Sequence, residues 1–264
     1  MTTTMSPVVS VEDLRRAYRA ALAGEFRHPN RARPAPANPV ATEWSPSPGE
    51  QVVLVVGALG GAGASTVALG LATCAGDARV VECCTVAASG LAGASTAEMG
   101  VTADGWVQGT RDTVLIERRS DRVASIAVMP APSATARPLT VLDCPTDIDL
   151  LVHDSGWLGA LARTAAVLVV TRASGTGLRR LEAAISGLGA DRAHAVMVGA
   201  PKRWPRQLEQ ALGAHGRQLR TSGRLTEVPH DPQLAVDGIT TDPLPAALLG
   251  AVAPVLESLR GTFR

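Results

Sequence analysis

The sequence predicts an α/β fold, in which a doubly wound, mostly parallel sheet carries helices on both faces. From residue 51 onward, short apolar runs alternate with stretches of helical periodicity. These runs are apolar throughout rather than alternating with polar residues, which is typical of strands covered on both faces. With 264 residues, 46% of them hydrophobic, the chain is also long enough to bury such a core.

Strands and helices are predicted in turn along this part of the chain. The strands span residues 52–56, 79–83, 123–129, 139–142, 167–171 and 195–199. The helices lie near residues 65–75, 156–164, 177–188, 206–215 and 245–260. The last helix is expected to pack in the core rather than on a membrane surface, because it contains Pro254 and lacks a lysine-rich face.

An amphipathic helix is predicted near the start of the chain, over residues 10–26. Ser10 is suited to cap its N-terminus. Apolar residues recur every four positions and form one stripe: Leu14, Tyr18, Leu22 and Phe26. This helix either folds back onto the main domain or binds another protein, and the sequence leaves both interpretations open.

A proline-rich segment separates this helix from the rest of the chain. Six prolines lie between residues 29 and 48, which is typical of an extended linker. We therefore predict a helical arm over residues 1–28, a linker over residues 29–49 and an α/β domain over residues 50–264.

The overall composition narrows the classes of function. The formal net charge is +1, so binding to nucleic acid or to an anionic membrane would have to be local. No run of eighteen apolar residues and no signal peptide is apparent, and we expect a cytoplasmic protein. The four cysteines lack metal-ligand spacing and are expected to be free thiols.

A glycine-rich loop at residues 57–66 is the strongest functional signal in the sequence. Strand, glycine loop and helix follow in the order that a phosphate-binding loop requires. Glycines allow the backbone to curl so that several N–H groups and the helix N-terminus point at one anion. The lysine that normally binds the terminal phosphates is missing, because Ala64 occupies its position.

A second signal lies at the end of the predicted strand 139–142. Asp143 follows this apolar run directly, and Pro145 comes two residues later. This is the form of a Walker B strand, whose carboxylate orients Mg²⁺, usually through water. The loop and Asp143 together indicate descent from a nucleotide-binding protein.

These residues resemble the ParA/MinD-like ATPases, the P-loop NTPases whose deviant Walker A motif reads KGGxGK followed by two Ser or Thr residues. Residues 59–66 read Leu-Gly-Gly-Ala-Gly-Ala-Ser-Thr across that motif. Residues 128–130 resemble the family's strand that ends in proline, residues 167–171 a later strand, and residues 228–232 its late I-P-x-D segment. The resemblance covers residues 50 to 260, outside the N-terminal arm.

The resemblance implies a nucleotide site with a magnesium ion and an ATP-dependent homodimer. ATP or ADP would contact Gly60, Gly61, Ala62, Gly63, Ala64, Ser65 and Thr66. Mg²⁺ would be held by Ser65 and, through water, by Asp143. An alternative is that the chain takes no cofactor at all.

Several departures from the family pattern argue against efficient ATP hydrolysis. Leu59 stands where the family has the lysine that crosses the dimer, and Ala64 replaces the P-loop lysine. Residues 82–84 read Glu-Cys-Cys instead of D-x-D, and residues 198–201 lack the asparagine that reads adenine. Asp143 comes only thirteen positions after Pro130, so a family helix is shortened or absent there.

The energetic cost of these losses is large. A charge-assisted contact contributes about 1.5–3 kcal/mol, and loss of a transition-state stabiliser costs on the order of 10²–10³ in rate. Whether an arginine elsewhere replaces the missing lysine is left open by the sequence.

A basic stretch near residues 202–224 is a candidate surface for nucleic acid. Its members, which surround Trp204, are Lys202, Arg203, Arg206, Arg217, Arg220 and Arg224. In a ParA-like protein such residues can contact DNA phosphates without sequence preference. A solvated helix face explains the stretch better.

We therefore predict a degenerate ParA/MinD-like protein that acts as a cytoplasmic positioning or assembly adaptor and binds nucleotide weakly or not at all. A protein partner would bind residues 10–26, and a homodimer is compatible with the family. Two alternatives remain: a slow ATP-dependent dimerisation switch, and a partition protein that binds DNA non-specifically.

Overall fold

The computed structural model describes residues 10–23 and 43–262, and the chain divides into two units, Met1–Pro39 and Val40–Arg264. In the first unit, helix α1 (Val11–Leu22) forms where the sequence predicts a helix. Residues 24–26 of that prediction, and most of the predicted linker, lie outside the described residues.

The second unit contains a single nine-stranded sheet in its described part. Its strands are β1 (Gln51–Gly57), β2 (Ala78–Glu82), β3 (Ala97–Val101), β4 (Trp106–Arg111), β5 (Val114–Arg119), β6 (Leu139–Cys144), β7 (Ala166–Arg172), β8 (Ala193–Ala200) and β9 (Leu225–Pro229). Their order is β3-β4-β5-β2-β6-β1-β7-β8-β9, in which β4 is antiparallel to its neighbours β3 and β5 and all other pairs are parallel.

Helices cover both faces of this sheet, as the sequence predicts. They are α2 (Ala64–Ala75), α3 (Ile148–His153), α4 (Trp157–Thr164), α5 (Gly175–Leu188), α6 (Arg206–Ala211), α7 (Ala214–Thr221), α8 (Pro232–Asp237) and α9 (Ala246–Thr262). Apolar side chains of α2 and α9 form the core on one face, and those of α3 to α7 form the core on the other. Helix α9 therefore packs in the core, as expected from its sequence.

Residues 123–129 do not form the predicted strand. They run irregularly with one 3₁₀ turn at Ile126–Val128, and Met129 alone among them is buried. Strand β5 fills the position beside β2, and its Val114, Leu115 and Ile116 are buried there. The predicted likeness of residues 128–130 to a strand ending in proline is therefore wrong. The predicted shortening holds, because residues 131–138 contain no helix.

The helix predicted over residues 206–215 is divided into α6 and α7. Gly213 lies between them, and a Cβ at this position would be 2.2 Å from the Glu182 side-chain carbon Cδ. The Glu182 carboxylate accepts hydrogen bonds from the backbone N–H groups of His215 and Gly216, at 2.8 and 3.0 Å. The Glu182 carboxylate on α5 thus caps the N-terminus of α7, so a second helix begins where the sequence pattern suggests a continuous one.

Candidate functional site

The glycine-rich loop connects β1 to α2 with the backbone curled as the sequence predicts. Gly61 and Gly63 adopt φ values of +69° and +95°, which residues with a side chain rarely adopt. The Ala58 N–H donates to the Val170 carbonyl at 2.8 Å, because β1 and β7 are neighbours in the sheet. The loop is therefore anchored to β7, and α2 begins at its end with free backbone N–H groups.

A cavity of about 670 Å³ opens over this loop. All seven predicted nucleotide contacts, residues 60–66, line it, together with residues from the ends of β7, β8 and β9 and from the turn after β6. Its volume lies within the range of small-molecule sites. The loop and the cavity therefore fit a phosphate-containing ligand.

Asp143 lies at the end of β6, between Val55 of β1 and Glu82 of β2 in the sheet register. It is fully buried, and neither carboxylate oxygen accepts a hydrogen bond of ordinary geometry from the described residues. Burial raises the pKa of Asp143 to about 7, the neighbouring Ser65 hydroxyl opposes the rise, and the charge of Glu82 adds to it. The carboxyl group is thus held in a site that disfavours its charge.

Glu82 holds the loop that follows β2 against the phosphate-binding loop. Its carboxylate accepts hydrogen bonds from the Ser89 hydroxyl at 2.5 Å and from the N–H groups of Gly90 and Leu91 at 2.6 and 2.9 Å. Burial raises the pKa of Glu82, and these hydrogen bonds oppose the rise. The sequence pattern presents Glu82 only as part of a departure from D-x-D and gives no sign of this role.

Gly90 lies directly on Ser65. A Cβ at position 90 would be 2.5 Å from the Ser65 Oγ and 2.9 Å from its Cβ. Ser65 and Gly90 line the cavity, whereas Asp143 does not. The Ser65 hydroxyl lies beside the Asp143 carboxyl, since it opposes the rise of the Asp143 pKa. Of the two predicted metal residues, Ser65 therefore faces the cavity and Asp143 is buried behind it.

Gly90→Ala is expected to lower the free energy of unfolding by about 1–3 kcal/mol, because the added methyl group overlaps Ser65. The loss should be smaller in a Ser65→Gly background, where both overlapping atoms are gone. Urea denaturation of the four proteins measures this coupling. Gly60→Ala is the control, since nothing lies within 4 Å of a Cβ there. Additive effects of the two substitutions would show that the contact is absent.

The two missing lysines are not replaced by nearby residues of the loop, but two arginines line the cavity. Arg172 ends β7, and Arg180 lies on α5. The Arg172 Nη1 donates to the Gly61 carbonyl at 2.9 Å. Sequence reasoning missed both residues. Arg172 directly follows the predicted strand 167–171, and a parallel sheet places the ends of neighbouring strands together, so that signal was present.

Five of the six members of the predicted basic stretch are exposed: Lys202, Arg203, Arg206, Arg217 and Arg220. Arg224 is half-buried and donates to the carbonyls of Ala190, Asp191 and Ala193. Arg217 donates to the Leu212 carbonyl, and Arg220 lies over the Trp204 ring, 4.4 Å from its centroid. Arg224 thus has a structural role, and contact of the exposed members with DNA stays a prediction.

Other kinds of site find little support. The part of the chain that the structure describes contains no cluster of His, Cys, Asp and Glu suited to a metal, and Cys74, Cys83, Cys84 and Cys144 are free thiols. Within the same residues, no helix is long and apolar enough to span a bilayer.

No family model matches the sequence, and no curated protein matches it. Solved structures do. A plasmid partition protein from Borrelia burgdorferi, bound to AMPPNP, superposes with a TM-score of 0.53 and 12% identity over 81% of this chain and 99% of its own. The cell division ATPase MinD from Pyrococcus furiosus superposes with a TM-score of 0.51 and 15% identity over 80% of this chain and 99% of its own.

A third match is MinD in the MinC:MinD complex from Aquifex aeolicus, with a TM-score of 0.52 and 13% identity over 80% of this chain and 96% of that one. At these identities the likeness establishes the fold. The chain has the α/β P-loop fold of the ParA/MinD-type ATPases, as the sequence predicts.

Proposed function

We propose that this chain is a degenerate ParA/MinD-like adaptor, which binds nucleotide weakly or not at all, does not hydrolyse it efficiently and acts in the cytoplasm by holding protein partners. The observation that carries the proposal is that the loop lining the cavity has Leu59 and Ala64 at the two lysine positions. Asp143, which would orient a magnesium ion through water, is also fully buried and does not line the cavity.

The loss of charge supports the same conclusion. Ala64 and Leu59 stand at the two lysine positions, so neither side chain can neutralise charge that develops on a leaving phosphate. Preorganised charge of this kind is usually a major term in catalysis. The backbone N–H groups of the loop remain able to bind a ground-state phosphate, and ATP or ADP is the ligand that the fold suggests.

Related folds support a role in assembly. The partition protein was solved with AMPPNP, and MinD was solved with its partner MinC. By analogy, this chain binds a partner protein, and the helix predicted over residues 10–26, described as α1, is the segment that we propose for it. The non-specific DNA-binding alternative is less favoured, because the formal net charge of the chain is only +1 and a solvated helix face explains the basic stretch.

The purified full chain with Mg²⁺ and ATP is expected to release no phosphate above the level of a protein-free sample. The physical reason is the missing loop charge together with the full burial of Asp143. A coupled phosphate-release assay measures it, with Asp143→Ala as a control for contaminating ATPases. Turnover that is measurable in the wild type and lost in Asp143→Ala would overturn the proposal and favour the slow ATP-dependent switch.

A further inference from the structure

We infer that Arg172 is the cationic residue that binds the phosphates of a nucleotide on the loop, replacing the absent lysine from a different strand. The inference rests on the weak nucleotide binding in the proposed function. It assigns to this residue a role that neither the loop motif nor its sequence neighbours indicate.

The fold places the Arg172 guanidinium at the tip of the loop. Val170 is paired with Gly57 in the register of β7 with β1, so the chain reaches Arg172 two residues beyond the point where the loop begins. Its Nη1 donates to the Gly61 carbonyl at 2.9 Å, and the side chain lines the cavity. A flexible arginine is thereby held beside the N–H groups that would cradle a phosphate.

The remaining donors of Arg172 are available to a ligand. A guanidinium has five N–H donors in a planar fork, which suits phosphate oxygens. Among the described residues, Arg172 makes the one hydrogen bond to Gly61 and no ion pair. Its positive charge is therefore not neutralised by a neighbouring carboxylate.

The acidic residues of the cavity are occupied elsewhere. Asp147 accepts a hydrogen bond from the Asp149 N–H at 3.0 Å, and Asp231 accepts one from the Leu234 N–H at 2.8 Å. Both carboxylates cap the N-termini of short helices, α3 and α8. They stabilise those helices, and among the described residues neither forms an ion pair with Arg172 or Arg180.

Arg172 is favoured over Arg180 for this role. Arg180 is exposed on α5 and lines the cavity, but it makes no hydrogen bond with the loop within the described part of the chain. It also borders a second, smaller cavity beside Asp147 and Asp149. The Arg172 side chain is already hydrogen-bonded to the loop, so ordering it on a phosphate would cost less conformational entropy.

This arrangement also predicts that binding does not need magnesium. The charge comes from a side chain, and Asp143, one of the two predicted metal residues, does not line the cavity. The affinity for ATP should therefore be the same within about twofold in Mg²⁺ and in EDTA. A bound metal would instead raise it, as metal ions bridge the phosphates in related sites.

Calorimetric titration of the full chain with ATP, ADP and AMP tests the assignment. Arg172→Gln keeps an N–H donor for Gly61 but removes the charge, and we expect it to weaken ATP binding about tenfold to a hundredfold. Arg172→Lys keeps the charge, so its affinity for ATP should fall by less. Arg179→Gln is the matched control, because this neighbour of Arg180 on α5 is exposed and does not line the cavity. It should bind like the wild type.

The outcomes separate this inference from the proposed function. Equal affinities of Arg172→Gln and Arg179→Gln would overturn it, as would a loss in Arg172→Lys as large as in Arg172→Gln, which would indicate that the residue only positions Gly61. No binding by the wild type at millimolar ATP would also overturn it and leave the non-hydrolysing adaptor standing. ATP turnover would overturn the adaptor alone, since the affinities of the variants still decide the role of Arg172.

Discussion

Asp143→Asn is expected to raise the free energy of unfolding at pH 8 by about 3 kcal/mol, or about 6–12 °C in melting temperature. In the folded chain the Asp143 carboxyl is fully buried without a hydrogen-bond donor of ordinary geometry among the described residues, and its pKa is raised from 3.8 to about 7. A shift of this size lowers the free energy of unfolding of the wild type by about 4 kcal/mol once the group is ionised. Asparagine avoids this loss, but burying its amide costs part of the free energy that is recovered.

The sign follows from proton binding in the two states. Between pH 3.8 and about 7 the folded Asp143 retains its proton and the unfolded one has lost it, so the wild type loses stability as the pH rises through this range. Above about pH 7 the loss is complete. Asparagine does not titrate, and its advantage should therefore grow from pH 5 to pH 7 and then remain constant.

Urea denaturation of both proteins at several pH values between 5 and 8 measures this difference. Asp154→Asn is a useful control, because Asp154 is also buried but accepts a hydrogen bond from the Gly156 N–H at 2.9 Å. That variant should not gain stability. An advantage of Asp143→Asn that stays the same at pH 5 and pH 8 would contradict the assigned pKa. Because Glu82 is unchanged in both proteins, its own titration mostly cancels in the comparison.

The sequence was sufficient for the part of the site that lies within one strand–loop–helix unit. Gly61 and Gly63 could be recognised because their roles depend on local backbone geometry. Glu82 could not be identified and Arg172 was missed, because their roles depend on which strands are neighbours in the sheet. Glu82 acts on the site by hydrogen bonding to the Ser89–Leu91 loop, and Arg172 lies at the site because β7 pairs with β1. Apolar periodicity reports burial, and it carries no information on strand order.

The same physical limit explains the errors in the fold. Strands 52–56 and 139–142 were predictable because central parallel strands are apolar on both faces. The outer strands β3 and β4 are mixed in composition, and all five residues of β3 are exposed, so no apolar run marks them. Conversely, residues 123–129 are apolar enough to resemble a strand, but β5 already occupies the edge of β2 that they would need. A short window of sequence does not show that two segments would compete for the same edge of β2.

Arg79→Met is expected to lower the free energy of unfolding by about 3–5 kcal/mol, because it leaves two buried carboxylates without their cation. Arg79 is 1% exposed and forms ion pairs with Glu50 at 2.9 Å and Glu117 at 3.4 Å. Its guanidinium also donates to the Thr140 hydroxyl at 2.7 Å and to the Ser133 carbonyl at 2.8 Å. Methionine retains most of the volume, so the loss reports the charge.

This network also supports the functional site, since Arg79 lies on the strand that ends at Glu82 and is paired with Thr140 on the strand that carries Asp143. Urea denaturation measures the loss, and Arg137→Met is the matched control, because Arg137 pairs with Asp77 at the surface at 2.8 Å. The control should change stability by less than about 1 kcal/mol. Adding Glu50→Gln and Glu117→Gln to Arg79→Met should recover a substantial part of the loss, because the unpaired buried charges are then removed. A loss in Arg79→Met no larger than that in Arg137→Met would mean that this buried network does not fix β2 against β5 and β6.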